Sequence, residues 1–149
     1  MQTYLKERPA VLGGKYALHV EFAQMVVWEH EANELQVNFK KLGLLPQEAV
    51  GELELRLKVT PCHGCHWIGS PVQGRQAMDL NQDMTLYFRS LLDNVTIQVL
   101  NGGDKICECK KYVFELLCLD YRVYDLSGDK IRGQLKIKAT TYIPIIVID

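Results

Sequence analysis

No stretch of this chain is apolar for long enough to cross a bilayer: the longest runs, at residues 23–28 and 143–148, fall well short of the roughly 20 residues a spanning helix needs. An excess of charge of one sign is missing too. Seventeen basic residues stand against 18 acidic ones, a net charge of −1, so any attraction to nucleic acid or an anionic membrane must come from local segregation of charge. Catalytic signatures are also lacking. The four histidines, His19, His30, His63 and His66, sit in no nucleophile elbow, no His-Glu-x-x-His run and beside no phosphate-binding glycine loop. The chain is therefore expected not to be an enzyme and to need no cofactor or small-molecule substrate. It opens on no apolar leader, and its cysteines number five, an odd count; both point to a reducing compartment and against secretion. Without secretion, Asn94-Val95-Thr96 reads as the start of a strand and not as a glycosylation acceptor.

What the chain does have is period two. Leu53, Leu55, Leu57 and Val59 alternate with Glu52, Glu54, Arg56, Lys58 and Thr60, which places the aliphatic side chains on one face of a half-buried strand. Similar alternations run through Tyr16, Leu18, Val20 and Phe22, through Leu35, Val37 and Phe39, and through Val95, Ile97 and Val99. Asn101-Gly102-Gly103-Asp104 and Ser127-Gly128-Asp129 are turn signals, and the second makes residues 112–141 read as one long hairpin. Residues 83–92 break the rule. Met84, Tyr87, Phe88, Leu91 and Leu92 recur at the spacing of one helix face, which predicts a short amphipathic helix capped by Asp83. Residues 61–82, with Pro61, Gly64, Gly69, Pro71 and Gly74, read as one long loop, and residues 42–50 as a shorter connection. There is no βαβ rhythm and no internal repeat. The expected fold is mainly β: an N-terminal arm at residues 1–14, then a single-domain sandwich of two antiparallel sheets at residues 15–149 with one or two short helices.

The loudest motif is Cys62-His63-Gly64-Cys65-His66. It matches a c-type haem attachment pattern, but those domains are mostly exported and helical, and this chain is neither by its pattern. Zinc is the second possibility, with Cys62, Cys65, Cys107 and Cys109 as four thiolates and His63 or His66 as alternates; against it, cysteine is a small residue that packs readily in cores. The expected metal content is none.

Charge segregates in the final strand. Lys130, Arg132, Lys136 and Lys138 share one strand parity while Ile131, Leu135 and Ile137 hold the other, so the four cations line one face over roughly 27 Å. Lys105, Lys110 and Lys111 are candidates to extend this stripe. Each basic residue near an anionic surface contributes about 1 kcal/mol, and contacts to phosphate make binding strongly salt-dependent.

Several stretches taken together resemble the matrix proteins of bornaviruses and their nyavirus relatives, non-segmented negative-strand RNA viruses. They are Tyr4-Leu5-Lys6-Glu7, residues 14–22, Asn38-Phe39 leading to Leu44-Leu45-Pro46, residues 53–61, Leu86-Tyr87-Phe88 and residues 111–116. The resemblance covers most of the chain but not the Cys-His-Gly-Cys-His loop. It implies a β-sandwich structural protein of the virion that self-associates, as a tetramer in the bornavirus case. Such a protein coats the inner face of the envelope as a peripheral membrane protein, in host cytoplasm or nucleus before assembly. It also binds single-stranded RNA or nucleoprotein and anionic membrane without sequence preference, here through Lys130, Arg132, Lys136, Lys138, Lys105, Lys110 and Lys111. The resemblance further implies a strand at Leu86-Tyr87-Phe88, where the residue spacing predicts a helix. The alternative is a C2-like β-sandwich adaptor that binds a protein or a lipid head group. Its aspartates Asp79, Asp83, Asp125 and Asp129 are too scattered for a calcium cage, which makes that module calcium-independent.

Overall fold

The computed structural model describes the backbone of residues 3–9 and 33–148, and side chains from residue 33 to residue 141. The strand expected at residues 16–22 and the connection expected after it lie outside the described residues. In chain order the elements are β1 (Thr3–Pro9), β2 (Asn33–Leu45), α1 (Gln47–Val50), β3 (Glu54–Pro61), β4 (Trp67–Ile68), β5 (Val72–Gln73), β6 (Ala77–Phe88), β7 (Asn94–Asn101), β8 (Asp104–Tyr112), α2 (Val113–Leu116), β9 (Cys118–Leu126) and β10 (Arg132–Ile148).

They form two five-stranded antiparallel sheets, as the alternating pattern requires. In the first, β10 is the hub: it pairs with β9 and β2 through its first half and with β1 through its second, and β2 pairs in turn with β6. In the second, β3 pairs with β7 on one side and with the two short strands β4 and β5 on the other, and β8 lies beyond β7. The core lies between the sheets. Leu55, Leu57 and Val59 of β3 and Val95, Ile97 and Val99 of β7 face Leu35, Val37 and Phe39 of β2 and Leu135, Ile137 and Ala139 of β10, all buried. Phe39 crosses the interior to stack on Trp67, ring centroids 5.6 Å apart.

The register also fixes which loops share an end. Leu55 pairs with Asn101, and the Gly74 N–H donates to the Leu53 carbonyl at 2.7 Å, so α1, the approach to β6 and the β7–β8 turn meet at one end. Pro61 pairs with Val95, which brings residues 62–66 to the opposite end beside residues 89–93 and α2.

Three sequence expectations are corrected here. Residues 83–92 form no helix: β6 runs to Phe88, with Met84, Leu86 and Phe88 buried and Tyr87 53% exposed, a period-two pattern. The helical spacing arose because Tyr87 is an outward residue and Leu91 lies beyond the strand. The predicted period is also disturbed upstream, where Asn81 takes φ 46° and the pairing with β2 shifts between Phe39 and Lys41, a bulge that puts two residues opposite one. Residues 61–82 are not one loop, since they contain β4, β5 and the start of β6. Residues 42–45 belong to β2, and the short helices are α1 and α2, four residues each. The hairpin at residues 101–104 forms as expected, with Gly102 at φ +65°, a conformation glycine adopts freely.

Candidate functional site: a lysine cluster on one sheet face

The outward face of the first sheet carries Lys136 and Lys138 from β10, at the half-exposed positions between the buried Leu135, Ile137 and Ala139. Lys138 pairs with Asn38 of β2 and Lys136 with Lys41. The bulge between Lys136 and Ile137 leaves Lys40 opposite the irregular step, facing the same way. On the other flank, β9 contributes Tyr121. The three ammonium groups converge on its ring, with Nζ of Lys40, Lys136 and Lys138 at 5.1, 5.7 and 5.8 Å from the centroid. Each such contact is worth about 0.5–1 kcal/mol at an exposed site, enough to offset part of the repulsion among three cations.

The ring is held from below. The Tyr121 hydroxyl donates to Asn38 Oδ1 at 2.7 Å, and Asn38 Nδ2 donates to Asp83 Oδ1 of β6 at 2.6 Å. Asp83 is thus occupied by an amide, not by a cation. Among the described residues, Lys40, Lys136 and Lys138 form no carboxylate ion pair, whereas Lys41 lies 3.7 Å from Asp79. Among the described residues the cluster therefore presents positive charge without a carboxylate beside it. Val123, opposite Lys136 on β9 and 52% exposed, adds apolar surface to its edge.

The seven predicted cations do not form one stripe. Arg132 shares the outward parity of Lys136 and Lys138 and lines a groove of about 690 Å³ with Gly43, Leu45, Gln76 and Gln134, and Lys130 is exposed in the turn before β10. Lys105, Lys110 and Lys111 are on β8, in the other sheet, because β8 pairs with β7 and not with β10. Lys105 is held by Glu108 at 3.0 Å and Lys111 lies 3.9 Å from Glu115, so both are largely neutralised locally. Lys40 and Tyr121 were missed. Lys40 was visible only as a polar position of the β2 alternation, and nothing in the sequence announces that β2, β9 and β10 are neighbours.

The four-thiolate set is not assembled either. Cys107 and Cys109 point into the core between β7 and β9, and burial pushes their thiols up to about 12 and about 11, while Cys62 and Cys65 are exposed past the end of β3. Asp79, Asp83, Asp125 and Asp129 do not gather: among the described residues, one group of three or more possible metal ligands exists, Cys62, His63 and Asp93. Nor, among them, is any helix long and apolar enough to cross a membrane.

No family model and no curated protein matches the chain. Solved structures do. C2 domain A of a plant extended synaptotagmin 1 superposes with a TM-score of 0.60 at 15% identity, covering 76% of this chain and 95% of that one. C2 domains A and B of extended synaptotagmin 2, with calcium bound, give 0.62 at 9% identity, over 89% and 51%. A third structure, described as that of a C2 domain, gives 0.56 at 11%, over 74% and 98%. At these identities the likeness speaks for architecture alone: the chain has the C2-type β-sandwich fold.

Proposed function

We propose that this domain is a calcium-independent C2-type binding module that docks peripherally on anionic membrane through the sheet face bearing Lys40, Lys136 and Lys138. The observation that carries this reading is the convergence of three ammonium groups, without carboxylate partners among the described residues, on one tyrosine ring. Such a cluster offers a phosphate-bearing head group charge-assisted hydrogen bonds from several directions at once. The exposed Val123 beside it fits the boundary between head groups and acyl chains better than it fits a nucleic acid backbone. A neighbour of the same fold is described as calcium-bound, but among the described residues of this chain no three carboxylates gather into one group, so calcium is not part of the proposed contact.

Sedimentation with vesicles tests it. Binding is expected to vesicles containing phosphatidylserine and not to pure phosphatidylcholine, to be equal in calcium and in chelator, and to weaken as salt rises. Calcium-dependent binding, or equal binding to neutral vesicles, would contradict it.

The matrix-protein reading is the second. It is favoured by one observation, the strand at Leu86-Tyr87-Phe88 that the resemblance implied and the residue spacing did not. It shares the basic face but adds self-association and RNA. Light scattering that finds a tetramer, together with salt-sensitive retention of single-stranded RNA, would favour it; a monomer without RNA affinity would leave the membrane module.

A further inference from the structure

We propose that Cys62, His63 and Asp93 form a zinc site at the end of the sandwich away from α1. The antiparallel register of β3 and β7 creates it. Thr60 pairs with Thr96 and Pro61 with Val95, and continuing that register past both strand ends sets His63 opposite Asp93. The ligand atoms of Cys62, His63 and Asp93 lie within 4.8 Å of one another, and His63 Nε2 is 3.8 Å from Asp93 Oδ1. In a tetrahedral zinc site with bonds of about 2.1 Å to nitrogen and oxygen and 2.3 Å to sulfur, the nitrogen and oxygen donors sit roughly 3.4 Å apart and each lies roughly 3.6 Å from the sulfur. The His63–Asp93 distance of 3.8 Å is about half an ångström from the first value, and Cys62, within 4.8 Å, needs at most about an ångström of side-chain adjustment in an exposed loop.

Asp93 is built as a ligand with a support behind it. Its side chain is nearly buried, the residue 9% exposed. Its Oδ2 accepts from the Arg89 N–H at 2.8 Å and the Ser90 N–H at 3.2 Å, which leaves Oδ1 directed at His63. Its own carbonyl accepts from the Val113 N–H at 3.0 Å, which anchors the loop to α2. Outer hydrogen bonds of this kind orient metal-binding carboxylates. Thiolate, imidazole and carboxylate together suit zinc over calcium or magnesium, which prefer oxygen alone. Three protein ligands leave a fourth position for water.

The test is titration of the reduced full chain with Zn²⁺ alone, against a metallochromic competitor, and with Co²⁺ as a spectroscopic substitute. The expected result is one metal per chain, a thiolate-to-cobalt charge-transfer absorption in the near ultraviolet, and a rise in Tm with zinc that a chelator reverses. Cys62→Ser and His63→Ala alter exposed loop residues and are expected to fold as the parent does, the first abolishing the charge-transfer absorption and each weakening zinc by at least about 10–100-fold. His66→Ala, in the same loop but outside the cluster, is expected to keep the site. No stoichiometric binding by the parent, or binding that survives both Cys62→Ser and His63→Ala, would overturn the assignment, as would loss of the metal in His66→Ala.

Discussion

Replacing Lys40, Lys136 and Lys138 together by glutamine removes the charge of the cluster while keeping side-chain length and sheet propensity nearly constant. The lysines are half-exposed and their ammonium groups touch a ring, not a buried carboxylate. Folding stability should therefore barely move: up to about 1 kcal/mol of cation–π attraction per lysine is lost, and mutual repulsion of similar size is relieved. Membrane affinity should move a great deal. At about 1 kcal/mol per basic residue near an anionic surface, the triple variant loses about 3 kcal/mol, or roughly 150-fold in partition coefficient. The matching control is Lys105→Gln, Lys110→Gln, Lys111→Gln, which removes the same charge from the other sheet, where Lys105 and Lys111 already have Glu108 and Glu115. It is expected to bind vesicles within a few-fold of the parent. The assay is sedimentation with phosphatidylserine vesicles at two salt concentrations, with thermal melts of all three proteins. Equal losses in both triples would mean that only net charge matters, and full binding by the first triple would refute the assignment of the face.

Other consequences follow from the core. Pulse alkylation of the native reduced protein should modify Cys62 and Cys65 quickly and leave Cys107 and Cys109 unmodified until it unfolds, since burial raises both buried thiols to about 12 and about 11; fast labelling of Cys107 read by mass spectrometry would contradict the register of β8. The same two thiols and Tyr124, raised mainly by burial to about 12, are protonated in the folded state where the unfolded chain has lost the proton. Their contribution to stability is thus fully present below about pH 9 and is lost as pH rises toward 11–12, so denaturant midpoints should fall steadily above pH 9; a flat profile to pH 11 would be inconsistent with their burial. Phe39→Ala removes a fully buried ring stacked on Trp67 and should cost about 3–5 kcal/mol by chemical denaturation. Gly74→Ala is expected to destabilise by about 1–3 kcal/mol or more, because a Cβ there would collide with the Val50 carbonyl oxygen; a neutral result would show that α1 is free to shift.

How far the sequence reaches depends on the range of the interaction. Alternation is local, and it located β3, β7 and the first half of β10, since Leu55, Leu57, Val59 and their counterparts are buried in the order their spacing dictates. It failed in two ways. In β6 the buried Met84, Leu86 and Phe88 do alternate, but the outward Tyr87 and the buried Leu91 beyond the strand end complete a helical spacing by coincidence. β4 and β5 have two residues each, too few to display any period. The lysine face was legible in half, because Lys136 and Lys138 share parity on one strand, but their union with Lys40 and Tyr121 is set by strand order. The same holds for the metal ligands: Cys62 and His63 stand out in the sequence, while Asp93 reaches them only through the pairing of β3 with β7.

The most direct test of the central claim is a residue-resolved map of where the domain meets lipid. Amide chemical shifts of isotopically labelled protein, followed on addition of phosphatidylserine nanodiscs in the presence of chelator, should change at residues 38–41, 119–123 and 136–138. Changes confined to residues 46–53 and 101–104 would place the contact at the loop end of the sandwich and contradict docking through the sheet face.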